Sequence, residues 1–436
     1  MPHPSPEPAA TAPAEHPFRA VTAADLDELT TRAGLAPEQR LRIRAVAAVL
    51  GFHTTNYVTE ELIDWSDASD DPIYRLAFPD ENMLPATDIS RITELLRQGA
   101  PAARIAATAQ QARADLCADH ARRRGEQILP GAYRTDHDRV LVIPSRRHDP
   151  GRDDTPCLDQ TRWPTGAGRA MAAAEVHQLT DYLITHPQVS GVQLTGADPL
   201  AMGAPTLRRF VEPLLALEQL ETVQIDSSAL ACWPYRFLTD PDADDTLRLF
   251  EQIAASAKTL TLMATFSHPR ELRPTPLAEA IGRIRGTGTV IHTQGPLIGS
   301  VNDAAATWAS MWRTQVRMGM APYIMTIERF TGTGHRFMVP LARAHEIFTR
   351  AYASIAGLGR TVRGPAMQAG PGTVCVDGIA GIGTQKVFVL RITHAYDTNL
   401  IGEPFLATFD PDAVWLTDLK PAFNSRFPHQ PPAQTP

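Results

Sequence analysis

The sequence predicts an α/β protein: a partial (β/α)6 barrel with an N-terminal helical region before it and a C-terminal α+β cap after it. Three observations carry this. Short apolar runs rich in β-branched residues recur through the middle of the chain, each followed by an amphipathic stretch. The alternation repeats about six times, too few for a closed eight-unit barrel but enough for a partial one. Clusters of Gly, Pro, Asp and Ser separate the runs and mark where each element stops.

From about Thr22 to Arg124 the periodicity is helical. LDELTTRAGL, EQRLRIRAVAAVL and DISRITELLRQ place apolar residues three and four apart, and an Ala-rich amphipathic stretch follows from Ala102. Between them DDPIYRLAFPDENMLP (70–85) reads as a Pro-punctuated loop. Strands are predicted at VLVIP (140–144), VSGVQLTG (189–196), ETVQIDSS (221–228), TLTLMATF (259–266), TVIHTQGPLI (289–298) and APYIMTI (321–327). Helices are predicted at 169–186, 205–217, 244–256, 275–286, 303–318 and 340–356. The segment 360–392 is Gly-rich with β-branched strands and reads as a cap on the barrel. The units expected are a tail (1–20), a helical region (21–125), the barrel (126–340), the cap (341–426) and a second tail (427–436). Both tails are Pro/Ala-rich and predict disorder.

A chain of 436 residues with 43% hydrophobic and 20% charged residues is composed like an ordinary globular protein. A net charge of −7 gives no electrostatic reason for a nucleic-acid or anionic-membrane partner. No apolar run approaches the roughly 20 residues that span a bilayer. The cysteines, Cys117, Cys157, Cys232 and Cys375, form no C-x-x-C pair, which argues against a structural zinc or a redox dithiol. With no signal peptide recognisable, they read as reduced thiols and the expected location is cytoplasmic.

In such folds ligands gather where strand C-termini meet the following loops. Those loops are PGRDDTPCLDQTRWPTGAG (150–168), TGADP (195–199), DSSAL (226–230), SHPREL (267–272), TQGPL (293–297) and ERFTGTGH (328–335). His148, Asp149, Asp153, Asp154 and Cys157 could together hold a mononuclear metal, although their spacing matches no known site and a solvated acidic loop is the default. His268 and His292 sit at predicted strand ends, where a satisfied structural histidine is commoner than a general base.

The stretches DDPIYRLAFPDENMLP, TRWP, LTGADP, WPYRFLTDPDADDTLRLFE, SHPREL, APYIMTIERFTGTGHRF, GLGRTVRGP, PGTVCVDG and FDPDAVWLTDLKPAF are similar to those of the lysine 2,3-aminomutase family, in its longer bacterial branch. The resemblance covers most of residues 55–425. It implies a barrel of the radical S-adenosylmethionine type. It also implies a [4Fe–4S] cluster, S-adenosylmethionine, pyridoxal phosphate and a small amino-acid substrate whose amino group migrates from C2 to C3. Self-association is implied as well.

In that family C-x-x-x-C-x-x-C holds the cluster through thiolates, the soft ligands that iron–sulfur clusters need. Aligned on Arg162-Trp163-Pro164, those positions here are Asp153, Cys157 and Gln160, so one thiolate remains. The Gly-Gly-acid turn that receives S-adenosylmethionine becomes Gly196-Ala197-Asp198, in which Asp198 can equally be a helix N-cap. Arg162 matches the arginine that takes the substrate carboxylate, its alternative being a loop arginine paired with a neighbouring Asp. Lys386, in a Gly-rich stretch after Val376-Asp377, matches the pyridoxal phosphate lysine, with two more residues between Asp and Lys than the family's best-known members have; its alternative is an exposed residue at a strand start. Asp377 and, less directly, Glu328 match the acids that receive the substrate's distal ammonium. The implied function is a lysine 2,3-aminomutase-like amino-acid binder with a degenerate cluster site, doing non-radical chemistry or none. The alternatives are an active radical aminomutase with non-standard cluster ligands, and a non-catalytic partner protein.

Overall fold

The computed structural model describes residues 16–118, 126–144, 170–196, 198–328, 336–423 and 426–430. The chain begins with β1 (Ala20–Thr22), α1 (Leu26–Arg32), α2 (Pro37–Leu50) and β2 (His53–Thr55), the two strands pairing antiparallel. Then come α3 (Pro72–Ala77), α4 (Ala86–Arg97) and α5 (Ala102–Ala118). Helix α3 lies inside the stretch that the sequence presents as a loop. Asp71 starts it, its carboxylate accepting from the backbone N–H of Ile73 and Tyr74, both at 2.8 Å, with Pro72 at the first helical position.

A single twelve-stranded sheet follows. Its first strands, β3 (Glu126–Leu129), β4 (Ala132–Arg134) and β5 (Arg139–Val142), are antiparallel neighbours. From β5 the chain alternates: α6 (Val176–Thr185), β6 (Gly191–Leu194), α7 (Ala204–Leu215), β7 (Thr222–Ser227), the short α8 (Ala229–Cys232) and α9 (Ala243–Ala255). It continues through β8 (Thr259–Thr265), α10 (Thr275–Gly286), β9 (Val290–Leu297), α11 (Ala305–Arg317), β10 (Ala321–Ile327) and α12 (Leu341–Ala353). Strands β5 to β10 are all parallel, which makes the partial six-unit barrel the observed fold.

The last segment extends the barrel sheet at its edge. β11 (Arg363–Ala369) pairs parallel with β10, and β12 (Gly372–Ile382), β13 (Gln385–His394) and β14 (Pro404–Thr408) add antiparallel strands to it.

Helix packing follows the amphipathic pattern. In α7, Leu207, Phe210, Val211 and Leu214 fall at helical spacing and are buried. Each such side chain contributes about 1.5–3 kcal/mol by leaving water. In β8, Leu260, Leu262 and Ala264 are buried at alternate positions, opposite in parity to Thr261, Met263 and Thr265. On β9, Thr293 donates to Gln315 of α11 at 2.9 Å, which assigns its parity to the helix layer. His292 and Gln294 therefore face the inside of the curved sheet.

Candidate functional site

The loop after β5 lies outside the described residues, and with it the expected positions Asp153, Cys157, Gln160 and Arg162, together with His148, Asp149 and Asp154. The other strand ends are described. Gly196 has φ +107°, and a Cβ there would stand 2.8 Å from Cγ2 of Ile143, so the turn after β6 requires glycine. Asp198 is buried, with its carboxylate already engaged. Oδ1 accepts from Leu200 N–H at 3.0 Å, and Oδ2 accepts from Ser227 Oγ at 2.9 Å and Ser228 N–H at 2.7 Å. Burial pushes the carboxyl up, against those hydrogen bonds. Asp198 thus caps the turn after β6 and ties it to the end of β7. This is the N-cap alternative; a contact to S-adenosylmethionine would have to compete with all three hydrogen bonds.

The remaining expected residues do not converge. Strand β12 runs antiparallel to β11, so it starts at the end where the parallel strands finish and runs toward the opposite end. Lys386 pairs with Gly381 beside the tip of the β12–β13 hairpin, whose loop residue Gly383 has φ +60°. It is exposed, and its Nζ lies 3.8 Å from the centre of the Phe409 ring. Lys386 is thus an exposed residue at the start of β13. The Gly-rich run that resembles a cofactor loop is a two-residue hairpin turn, and it carries the lysine to the far end of the sheet. Asp377 forms a bidentate pair with Arg391, at 2.6 and 3.2 Å, so its charge is met within the protein. Glu328 stands at the mouth just past β10, where it accepts from Thr326 Oγ1 at 2.9 Å.

The SHPREL segment is a structural corner. Glu271 is buried and accepts from the backbone N–H of Ser267 at 2.7 Å and of His268 at 3.0 Å. His268 Nδ1 accepts from Arg270 N–H at 3.2 Å, and burial, aided by the Arg270 charge, pushes the imidazole down to about 4. The Arg270 guanidinium pairs with the buried Asp71, joining the helical region to the barrel rim.

A polar inner face lies between these corners. Asp226, on the last turns of β7, accepts from Gln193 Nε2 at 2.6 Å and from Gln224 Nε2 at 2.7 Å. The sheet register sets Asp226 beside Met263, Met263 beside His292, and His292 beside Ala321. His292 stacks on Tyr323 with ring centres 5.0 Å apart, and the Arg363 guanidinium lies 5.2 Å from the Tyr323 ring centre. Burial, with Arg363 close by, holds the His292 imidazole below its ordinary value. The available signal was DSS at the end of a strand that also carries Gln224.

The positions at which the resemblance places the cluster ligands lie outside the described residues. Cys157 stands alone in its loop. Cys232 is fully buried and donates to the Ser228 carbonyl at 3.0 Å. Cys375 is buried in β12, and burial pushes its thiol up, the reverse of what a thiolate ligand needs. Among the described residues no three His, Cys, Asp or Glu are grouped to hold a metal ion. No described helix is long and apolar enough to cross a membrane.

No protein-family model matches the chain. An Aquifex aeolicus protein named "Putative L-lysine 2,3-aminomutase" is 25% identical over 385 residues, 87% of this chain and 91% of that protein. The L-lysine 2,3-aminomutase of Escherichia coli K12 is 23% identical over 53% of this chain and 64% of its own length. That of Clostridium subterminale is 25% identical over 41% of this chain and 40% of its own length. The chain thus spans nearly all of the first relative and less than two thirds of the other two. SuiB of Streptococcus suis overlays with a TM-score of 0.35 and 10% identity, covering 70% of this chain and 65% of that one, a likeness too slight to carry an argument. In sequence the chain is thus similar to lysine 2,3-aminomutases over most of its length, and its six parallel strands alternate with helices.

Proposed function

We propose that this chain is an amino-acid-binding member of the family that has left the radical reaction behind. The observation that carries this is the donor set: one cysteine in the loop after β5, and two others buried in hydrogen-bonded positions of their own. A neutral amide at Gln160 and a hard carboxylate at Asp153 are poor replacements for thiolates. The engaged carboxylate of Asp198 agrees with this reading. The inner face of the sheet offers what a small polar ligand needs, a few placed polar groups over an otherwise packed wall. An aldimine on Lys386 is not part of the proposal, because the hairpin carries that residue away from the mouth.

The test is anaerobic reconstitution of the full chain with ferrous iron and sulfide. The expected result is iron far below stoichiometric, no broad cluster absorbance, and no cleavage of S-adenosylmethionine by reductant. The double variant Asp153→Cys, Gln160→Cys is expected to gain iron, which shows that the loop can still fold around a cluster. About four irons per wild-type chain, with the matching spectrum, would return the protein to radical chemistry.

A further inference from the structure

The N-terminal segment 53–83 meets the strand-end loops in chain order. Thr55 Oγ1 donates to the Cys232 carbonyl, just after β7, at 2.6 Å. Asp71 pairs with Arg270, after β8. A terminal nitrogen of Arg75 donates to the Ser300 carbonyl, after β9, at 3.1 Å. Asp80 pairs with Arg336, beyond β10, at 3.2 Å. The segment therefore runs as a strap along four of the six parallel strand ends.

The two halves of the strap are fastened differently. Beside β7 it is anchored by packing. Thr55 and Tyr57 are buried, and the Tyr57 ring meets that of Tyr235 edge-on with centres 6.0 Å apart. Tyr235 in turn lies against Trp233, at 5.1 Å. Toward β8, β9 and β10 the strap carries an aromatic cluster of its own, with Tyr74 stacked on Phe78 and Trp65 edge-on to both. Its polar ties to the barrel there run through three arginines that water reaches: Arg75 and Arg270 are partly exposed, and Arg336 is exposed. Ion pairs that solvent screens hold weakly, whereas buried aromatic contacts do not depend on charge.

The loops on the other side of these ties form one unit. Asn302 Nδ2 donates to the Ser267 and Pro296 carbonyls, both at 2.8 Å, which joins the ends of β8 and β9. Gly299 N–H donates to the Phe337 carbonyl at 2.9 Å. A Cβ on Gly299 would stand 2.3 Å from the Arg336 carbonyl oxygen, so the loop after β9 lies directly on the segment beyond β10. Two internally knit bodies thus meet at a seam whose polar ties are reached by water. We propose that the strap is a hinged clasp. It stays anchored at the end of β7 and lifts at α3, freeing the loops after β8, β9 and β10 together while the sheet stays folded. Ligands in such folds gather at these strand ends, so the lift admits a ligand to the inner face from that side. The device is independent of the ligand's identity.

The experiment is amide hydrogen exchange, read by mass spectrometry, on the full chain and on the double variant Arg270→Met, Arg336→Met. In the wild type, α3 and the loop 298–302 are expected to exchange faster than the anchor at 55–59 and 229–235. In the double variant α3 and that loop are expected to exchange about tenfold faster again, with the anchor unchanged. Equal protection of clasp and anchor in the wild type overturns the proposal. So does a double variant that leaves α3 unchanged or speeds both regions alike. Wild-type exchange in urea below the unfolding transition decides the matter even where the double variant does not fold. Exchange of α3 with a small urea dependence supports the hinge, and exchange with the full dependence of global unfolding makes the strap a fixed part of the fold.

Discussion

The rim of the barrel and its inner face use the same residue types in opposite ways. At the rim, Arg236 is 2% exposed and its donors are taken by protein. Nε donates to the Leu200 carbonyl at 2.7 Å, one terminal nitrogen to Asp242 at 2.8 Å, and the other to Thr246 Oγ1 at 2.7 Å and the Met202 carbonyl at 3.2 Å. Asp71, Glu271 and Asp198 are similarly saturated. On the inner face, Asp226 is held in place by neutral donors and makes no ion pair among the described residues. Polar groups that close on one another brace the loops. Polar groups that are oriented but left uncompensated are available to a ligand. Substitutions should therefore separate the two regions, with large stability losses at the rim and small ones inside.

The largest effect is expected at Arg236. Arg236→Met removes a buried guanidinium from Asp242, Thr246 and two carbonyls, and should cost about 3–5 kcal/mol in urea unfolding. A loss below about 1 kcal/mol would remove the rim from the comparison. Next comes His268. Its folded-state pKa of about 4 lies below the usual 6.5, so between those pH values the unfolded chain holds a proton that the folded chain does not. Stability should therefore fall as pH drops from 6.5 toward 4 and level off below, by a total of about 1–3 kcal/mol after allowing for partial exposure. His268→Asn keeps an acceptor for Arg270 N–H and should flatten that limb of the stability–pH curve.

Much of this architecture is legible in the sequence because parallel strands buried by helices leave a strong signature. APYIMTI is predicted at 321–327 and is strand β10 over the same residues. α10 likewise occupies the predicted 275–286. The failures share a physical cause. Asp71-Pro72 is both a loop signature and a helix start, and only the buried contacts of Tyr74 and Phe78, stacked at 4.3 Å, show that a helix forms. Gly-rich antiparallel strands look alike whether they cap a barrel or extend its sheet, since strand pairing is non-local. The same holds around Lys386: Gly381 to Gly383 resemble a cofactor loop in sequence, and the hairpin is visible only from the pairing of Ile382 with Gln385. Asp226 was not singled out because its meaning depends on Gln193, 33 residues earlier.

The smallest stability effect, and the sharpest test of the contrast, is expected at Asp226. Burial raises its carboxyl, so the folded state binds that proton more tightly than the unfolded chain does. The ionised form therefore costs stability at pH above the folded value, and the cost fades as pH is lowered through it. Asn is nearly isosteric and uncharged, and its amide oxygen still accepts from one of the two glutamines. Asp226→Asn should accordingly change unfolding free energy by less than about 1 kcal/mol at neutral pH, with the sign toward gain. A loss above about 2 kcal/mol would make Asp226 a brace like Arg236, and the inner face would then belong to the fold and not to a ligand. A neutral or stabilising result is what a buried carboxylate without a counter-charge produces and a bracing residue does not.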